Sequence, residues 1–205
     1  MLYMIGGAPR SGKTTVARRM LAEHGVPYFS IDTLIASLAS AQPELGMRVS
    51  DPALKRMEIV WPTIRKVASD VVQSGDDLLL EGDVILPKHL IEFGHSTNTG
   101  IKACFIGYAD VDPVKKLRAI REHAAGGIDW TEELDDARLL NLIGELRTFS
   151  EYLRRECCHY KIRYFDGSTC FASAIRDAKA YLHSAAQLEH LHAPPSRQSS
   201  LRLPS

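Results

Sequence analysis

The chain has 205 residues, enough for one domain with a full core and too few for a second of comparable size. Its 25 Lys and Arg balance 25 Asp and Glu, which argues against a protein whose main task is to coat nucleic acid or an anionic membrane, because such binding draws on surplus cations. With 45% hydrophobic and 24% charged residues the composition is globular. No apolar run approaches the ~18 residues of a membrane span, and Met1 to Ile5 is too short for the core of a secretion signal.

Short apolar runs alternate with segments of helical period, which predicts an α/β domain built on a parallel sheet. Leu2 to Ile5 reads as a buried strand and Lys13 to His24 as a helix stopped by Gly25. Val26 to Ile31 is the second strand, with Asp32 at its end as the cap of a helix to about Leu38. Asp51-Pro52 opens a helix to about Trp61, Pro62 breaks or kinks it, and a further helical stretch runs to Gln73. Asp77 to Leu80 is the third strand, ending in Glu81-Gly82-Asp83. Ile101 to Tyr108 is the fourth, and Asp112-Pro113 starts a helix through His123. Gly126-Gly127 interrupts it, and Asp129 with Glu132 makes a capping-box-like start for a long helix carrying Leu139, Ile143, Leu146, Leu153 and Cys157. Ile162 to Phe165 is the fifth strand, followed by Asp166-Gly167-Ser168 and a helix with Ile175, Ala178 and Leu182 on one face. Periodicity ends near His190, so residues 1–190 read as the domain and 191–205 as a disordered tail.

The strongest motif lies between the first strand and first helix. Gly7, Ala8, Pro9, Arg10, Ser11, Gly12, Lys13 and Thr14 fill the pattern G-x-x-x-x-G-K-[ST], and Thr15 adjoins them in the predicted nucleotide-binding set. Glycines let backbone N–H groups turn inward around phosphate, the following helix points its positive end at the same group, Lys13 reaches the β and γ oxygens, and the Thr14 hydroxyl is placed to ligate Mg²⁺. The motif establishes triphosphate binding and leaves the reaction open.

Phosphoryl transfer to an alcohol needs an acidic group near the metal and a group to accept the alcohol's proton. Ligands bind beyond the carboxyl ends of parallel strands, where Asp32, Glu81 and Asp83 are predicted to stand. Glu81 follows Leu78-Leu79-Leu80 and is assigned to the Mg²⁺ shell or its water; the alternative is a solvated loop acid. Asp32 faces the acceptor or serves only as a cap, and Asp83, which alternation puts on the side of Glu81, competes with it as base or acceptor contact. Asp166 reads as a turn residue.

Cys104, Cys157, Cys158 and Cys170 show no metal-ligand spacing and read as buried thiols of a reducing cytoplasm. His89, His95, His123 and His159 have no triad spacing and read as surface or supporting residues. Trp61 and Trp130 read as packing residues, while Arg48, Lys55, Arg56 and Arg65 are either solvated helical charges or a grip for an anionic substrate, with the former favoured.

With these residues in place the chain resembles a small P-loop kinase of the adenylate kinase and shikimate kinase group, nearest to 2-phosphoglycerate kinase-like and antibiotic phosphotransferase-like members. The resemblance rests on Ile5-Gly6-Gly7 leading into Gly12-Lys13-Thr14-Thr15, on Ser30-Ile31-Asp32, and on Leu80-Glu81-Gly82 followed by Pro87, and it spans about residues 1–183. It implies a three-layer sandwich with a five-stranded parallel sheet in the order 2-3-1-4-5, a helical substrate region after strand two, and a mobile lid at about residues 110–135. It also implies that Asp32 contacts the acceptor hydroxyl and that Arg118 and Arg121, three apart on one helical face, close over the transferring group. The lid lacks the longer arginine spacing of adenylate kinases.

The expected activity is ATP- and Mg²⁺-dependent transfer of the γ-phosphoryl group to a hydroxyl of a small molecule, with Lys13, Asp32, Arg118 and Arg121 in the chemistry and Thr14 and Glu81 at the metal. The rival readings are a nucleotide-binding switch or slow ATPase acting through a partner, and a zeta-toxin-like kinase. A cytoplasmic monomer or homodimer, with no nucleic-acid or membrane partner, completes the expectation.

Overall fold

The computed structural model describes residues 1–96, 101–123 and 131–184. Gly126-Gly127, Asp129, Trp130 and the tail lie outside the described residues. The elements are β1 (Leu2–Gly7), α1 (Lys13–His24), β2 (Tyr28–Ser30), α2 (Ile31–Ala41), a single 3₁₀ turn (Pro43–Leu45), α3 (Ala53–Ser74), β3 (Leu78–Glu81), α4 (Pro87–Ser96), β4 (Ile101–Gly107), α5 (Pro113–His123), α6 (Asp136–Tyr160), β5 (Arg163–Asp166) and α7 (Phe171–His183).

All five strands are parallel, in the order β2-β3-β1-β4-β5. Strand alternation divides the core into two layers. Met4, Leu80, Ala103 and Phe105 face α2, α3, α4 and α6 through Ile35, Met57, Ile64, Leu90, Phe93 and Leu153. Ile5, Leu79, Cys104 and Ile106 face α1 and α7 through Val16, Met20, Ile175 and Leu182. Both faces of the sheet are thereby covered, which is why its strands are nearly continuous apolar runs. Ile5 and Ser30 both pair with Glu81, so the ends of β1, β2 and β3 come level at one edge. Among the described residues no helix is long and apolar enough to cross a membrane.

Several local expectations change. Ser30, not Asp32, is the N-cap of α2, because β2 stops short and the chain turns directly into helix; Asp32 therefore lies in the first turn. Pro62 does not end a helix: α3 runs unbroken for 22 residues. Its ring is exposed, while Met57 and Val60 before it and Ile64 and Ala68 after it are buried, so packing on both sides offsets the lost backbone bond. Helix α4, absent from the reading in chain order, follows Pro87. The described start of α6 is capped by Asp135, whose carboxylate accepts the Arg138 N–H at 2.8 Å. Cys104 and Cys157 are buried as expected, whereas Cys158 and Cys170 are exposed; all four are free.

Candidate functional site

The loop between β1 and α1 turns on two glycines. Gly7 has φ +145°, and a Cβ there would lie 2.1 Å from the Ile106 carbonyl oxygen; Gly12 has φ +95° and would meet Ile175 and Phe171. Arg10 takes a left-handed φ of 62° without being glycine, a conformation that persists only where surroundings hold it. They do so here. The Tyr108 hydroxyl donates to the Pro9 carbonyl at 2.8 Å, Lys116 Nζ donates to the Arg10 carbonyl at 3.0 Å, and Arg10 Nη2 donates to Thr131 Oγ1 at 2.7 Å.

Lys13 is buried and curls over its own loop, donating to the carbonyls of Gly7 at 3.1 Å and Ala8 at 3.0 Å. Thr14 is exposed, and its hydroxyl donates to Glu81 Oε1 at 3.1 Å. Glu81 itself is 1% exposed, and its Oε2 has no hydrogen-bond partner. A buried carboxylate oxygen without a donor beside a hydroxyl, on the edge where phosphates would sit, is the oxygen donor set that suits Mg²⁺ and its waters. Among the described residues no group of three or more His, Cys, Asp or Glu is arranged to hold a metal alone.

Beyond β2 and β3 stand the other two carboxylates. Asp32 Oδ1 accepts the Asp83 N–H at 3.3 Å, and Gly82 makes room for it, since a Cβ at position 82 would lie 3.2 Å from that oxygen. Solvent reaches Asp32, while protein surrounds the rest of it. Loss of hydration, followed by the charge of Asp83, pushes its pKa up to about 7, against the opposing pull of Lys13. Asp83 is buried, and its Oδ2 pairs with Arg56 Nη2 at 2.8 Å. Arg56 is buried as well and donates through Nε to the Asp51 carbonyl at 2.8 Å. Its predicted place among solvated helical charges is thus corrected: the α3 face that packs on the sheet carries it inward.

The lid arginines are placed differently from each other. Arg118 is exposed on α5. Arg121 is held by Asp136 at 2.9 Å and by the carbonyls of Thr131 and Leu134, so it fastens α5 to the start of α6. From α5 it is Lys116 that touches the phosphate loop. Its ammonium sits 4.1 Å from the centre of the Tyr108 ring, and burial, then the Arg10 charge, brings its pKa down to about 8. The basic run 115–121 was visible in the sequence, but only helix orientation distinguishes residue 116 from 118 and 121. Asp166 is a turn residue as expected, accepting the N–H groups of Ser168 at 2.8 Å and Ala109 at 3.2 Å. His89, expected on the surface or in support, is buried against Trp61, and loss of hydration lowers its pKa to about 4.

No protein-family model matches the chain, and no curated protein matches it in sequence. Solved structures do match in fold. A gluconokinase from Sinorhizobium meliloti 1021 superposes with a TM-score of 0.54 at 16% identity, covering 88% of this chain and 90% of that one. A shikimate kinase from Bacteroides thetaiotaomicron gives 0.54 at 16%, covering 89% and 98%. A sugar kinase from Janibacter sp. HTCC2649 gives 0.54 at 15%, covering 88% and 93%. The chain has the fold of the small P-loop kinases. In that fold the phosphate loop and the carboxylates of Glu81, Asp32 and Asp83 share one edge of the sheet.

Proposed function

We propose that the protein is an ATP- and Mg²⁺-dependent kinase that transfers the γ-phosphoryl group to a hydroxyl of a small molecule. The observation that carries this reading is Asp32: a carboxylate reached by solvent, fixed by the Asp83 N–H, and within the field of the phosphate-loop lysine. A nucleotide switch has no use for such a group, whereas an alcohol acceptor needs one. The named substrates of the fold neighbours are small molecules, which supports the same class.

In this reading Lys13 leaves the Gly7 and Ala8 carbonyls for the β and γ oxygens, and the loop N–H groups cradle the β-phosphate. Thr14 and Glu81 would hold the metal, which when bound would neutralise charge on the transferring group. Asp32 orients the acceptor hydroxyl and takes its proton as the new O–P bond forms and the bridging O–P bond to the β-phosphate breaks, releasing ADP. Lys116 and Arg118 supply positive charge from α5, and Arg121 steadies the helix that bears them. The free cysteines fit a reducing compartment such as the cytoplasm.

The test is ADP release over a panel of hydroxylated metabolites and antibiotics, with wild type, Lys13→Ala and Asp32→Asn. Acceptor-stimulated release that falls at least ~100-fold in Lys13→Ala is expected. Undiminished turnover in that variant would sink the assignment. If Asp32→Asn kept full rate on the best acceptor, Asp32 would lose its role.

A further inference from the structure

The phosphate loop is tied through its backbone to the end of β4 and to α5. The Ala8 N–H donates to the Ile106 carbonyl at 3.2 Å, the Tyr108 hydroxyl donates to the Pro9 carbonyl at 2.8 Å, and Lys116 Nζ donates to the Arg10 carbonyl at 3.0 Å. Between these ties the Ser11 N–H returns to the Ala8 carbonyl at 3.2 Å and closes a four-residue turn. Proline at its second position and a left-handed φ of 62° at its third are the pattern of a type II turn. That third position calls for glycine, and here Arg10 fills it at a steric cost.

The alternative is a type I turn, reached by turning over the Pro9–Arg10 peptide, in which Arg10 would take an ordinary negative φ. The two turns differ in what they show a ligand. A trans peptide is planar, so its N–H points opposite to its carbonyl. With the Pro9 carbonyl held toward the buried Tyr108, the Arg10 N–H points away from Tyr108; turned over, the peptide would present a carbonyl oxygen there instead. The first attracts an anion and the second repels it.

Tyr108 is well placed to hold that peptide. Its ring clusters with Ala8, Val111, Leu146 and Phe149, and the Lys116 ammonium sits 4.1 Å from the ring centre. A carbonyl only accepts, so the hydroxyl must donate. Burial pushes the pKa of this phenol up, against the charge of Arg10, so it keeps the proton that it donates.

We infer that Tyr108 is a positioning residue for the phosphates of the nucleotide: by holding the Pro9 carbonyl it keeps the turn in the form that offers the Arg10 N–H to them. This inference rests on the nucleotide-binding part of the reading above and names a residue on which that binding depends.

Binding of Mg²⁺-ATP is measured by calorimetry for wild type, Tyr108→Phe, Arg10→Gly and the double variant Arg10→Gly/Tyr108→Phe. Thermal unfolding without nucleotide checks that each is folded, and Tyr108→Leu, which also removes the hydroxyl, is carried as a second variant. Tyr108→Phe is expected to raise Kd at least ~10-fold, the size of one lost hydrogen bond together with a turn that relaxes away from its binding form. Glycine is at home at a left-handed φ after proline, so in the Arg10→Gly background the turn keeps its form unaided and the same change is expected to raise Kd less than ~3-fold.

A loss of equal size in both backgrounds, or no loss in a folded Tyr108→Phe or Tyr108→Leu, overturns the inference and leaves the kinase reading standing. A wild type that binds no Mg²⁺-ATP overturns the kinase reading and the inference with it.

Discussion

Thr14 Oγ1 and Glu81 Oε1 lie 3.1 Å apart although 67 residues separate them in the chain. The contact joins the end of the phosphate loop to the end of β3, and it leaves Glu81 Oε2 buried without a donor. A group of this kind costs stability in the free protein and is relieved by a cation or its water. Glu81→Gln keeps the shape and removes the charge. It is expected to lower kcat at least ~100-fold and to raise the Mg²⁺ concentration needed for half-maximal rate. Titrating Mg²⁺ against initial rates at saturating ATP checks both; an unchanged Mg²⁺ requirement removes Glu81 from the metal.

Asp32 connects function to stability through pH. Its folded pKa is raised to about 7 from the model-compound 3.8, so between those values the folded state binds more protons than the unfolded state. By linkage this group's contribution is most favourable below the lower value and is lost as pH rises through the upper one. Asp32→Asn removes that loss and adds an amide donor facing Asp83. The variant is expected to be inactive yet more stable than wild type at pH 8, by about 1 kcal/mol once solvent screening is allowed for, and to lose the advantage near pH 4. Thermal unfolding of both proteins from pH 4 to 8 tests the slope.

The fold was legible because strands buried on both faces are apolar runs and because the Gly7 to Thr14 motif marks where β1 becomes α1. The carboxylates at the strand ends followed from the same logic. Pairing across distance was not legible. Nothing local distinguishes Arg56 from Lys55, since one turns toward the sheet and the other toward Asp51 only after α3 has packed. Pro62 carries an intrinsic helix cost of ~3 kcal/mol, but apolar burial along the rest of α3 exceeds it, so the helix is not broken there. Lys116 was hidden among four cations on one helix, and docking of α5 beside Tyr108 selects it.

Lys116 gives a prediction of opposite sign to Asp32. Its pKa is lowered to about 8, so between about 8 and the model-compound 10.5 the unfolded chain binds more protons, and the contribution of this group to stability rises with pH across that window. Lys116→Met keeps the contact with Tyr108 and loses both the charge and the bond to the Arg10 carbonyl. The stability difference between wild type and variant is expected to grow in favour of wild type from pH 7.5 to 10, which chemical denaturation at each pH measures. A difference independent of pH removes the burial of the charge as its cause.

Pro62 allows the helix argument to be tested apart from any chemistry. It sits inside α3 with its ring exposed, and the missing N–H leaves the Glu58 carbonyl without its helical donor. Pro62→Ala restores that bond and the best helix former at an exposed position, which favours the folded state; it also gives the unfolded chain more freedom, which opposes by ~0.4–1 kcal/mol. The first effect is the larger, so the variant is expected to gain ~1–2 kcal/mol and several degrees in Tm. Arg56 lies six residues before the substitution, more than one helical turn away, so its pairing with Asp83 at 2.8 Å should persist. Loss of stability in Pro62→Ala would mean that a bend at Pro62 is needed to seat Met57 and Ile64 together, and unfolding of the variant followed by circular dichroism separates the two outcomes.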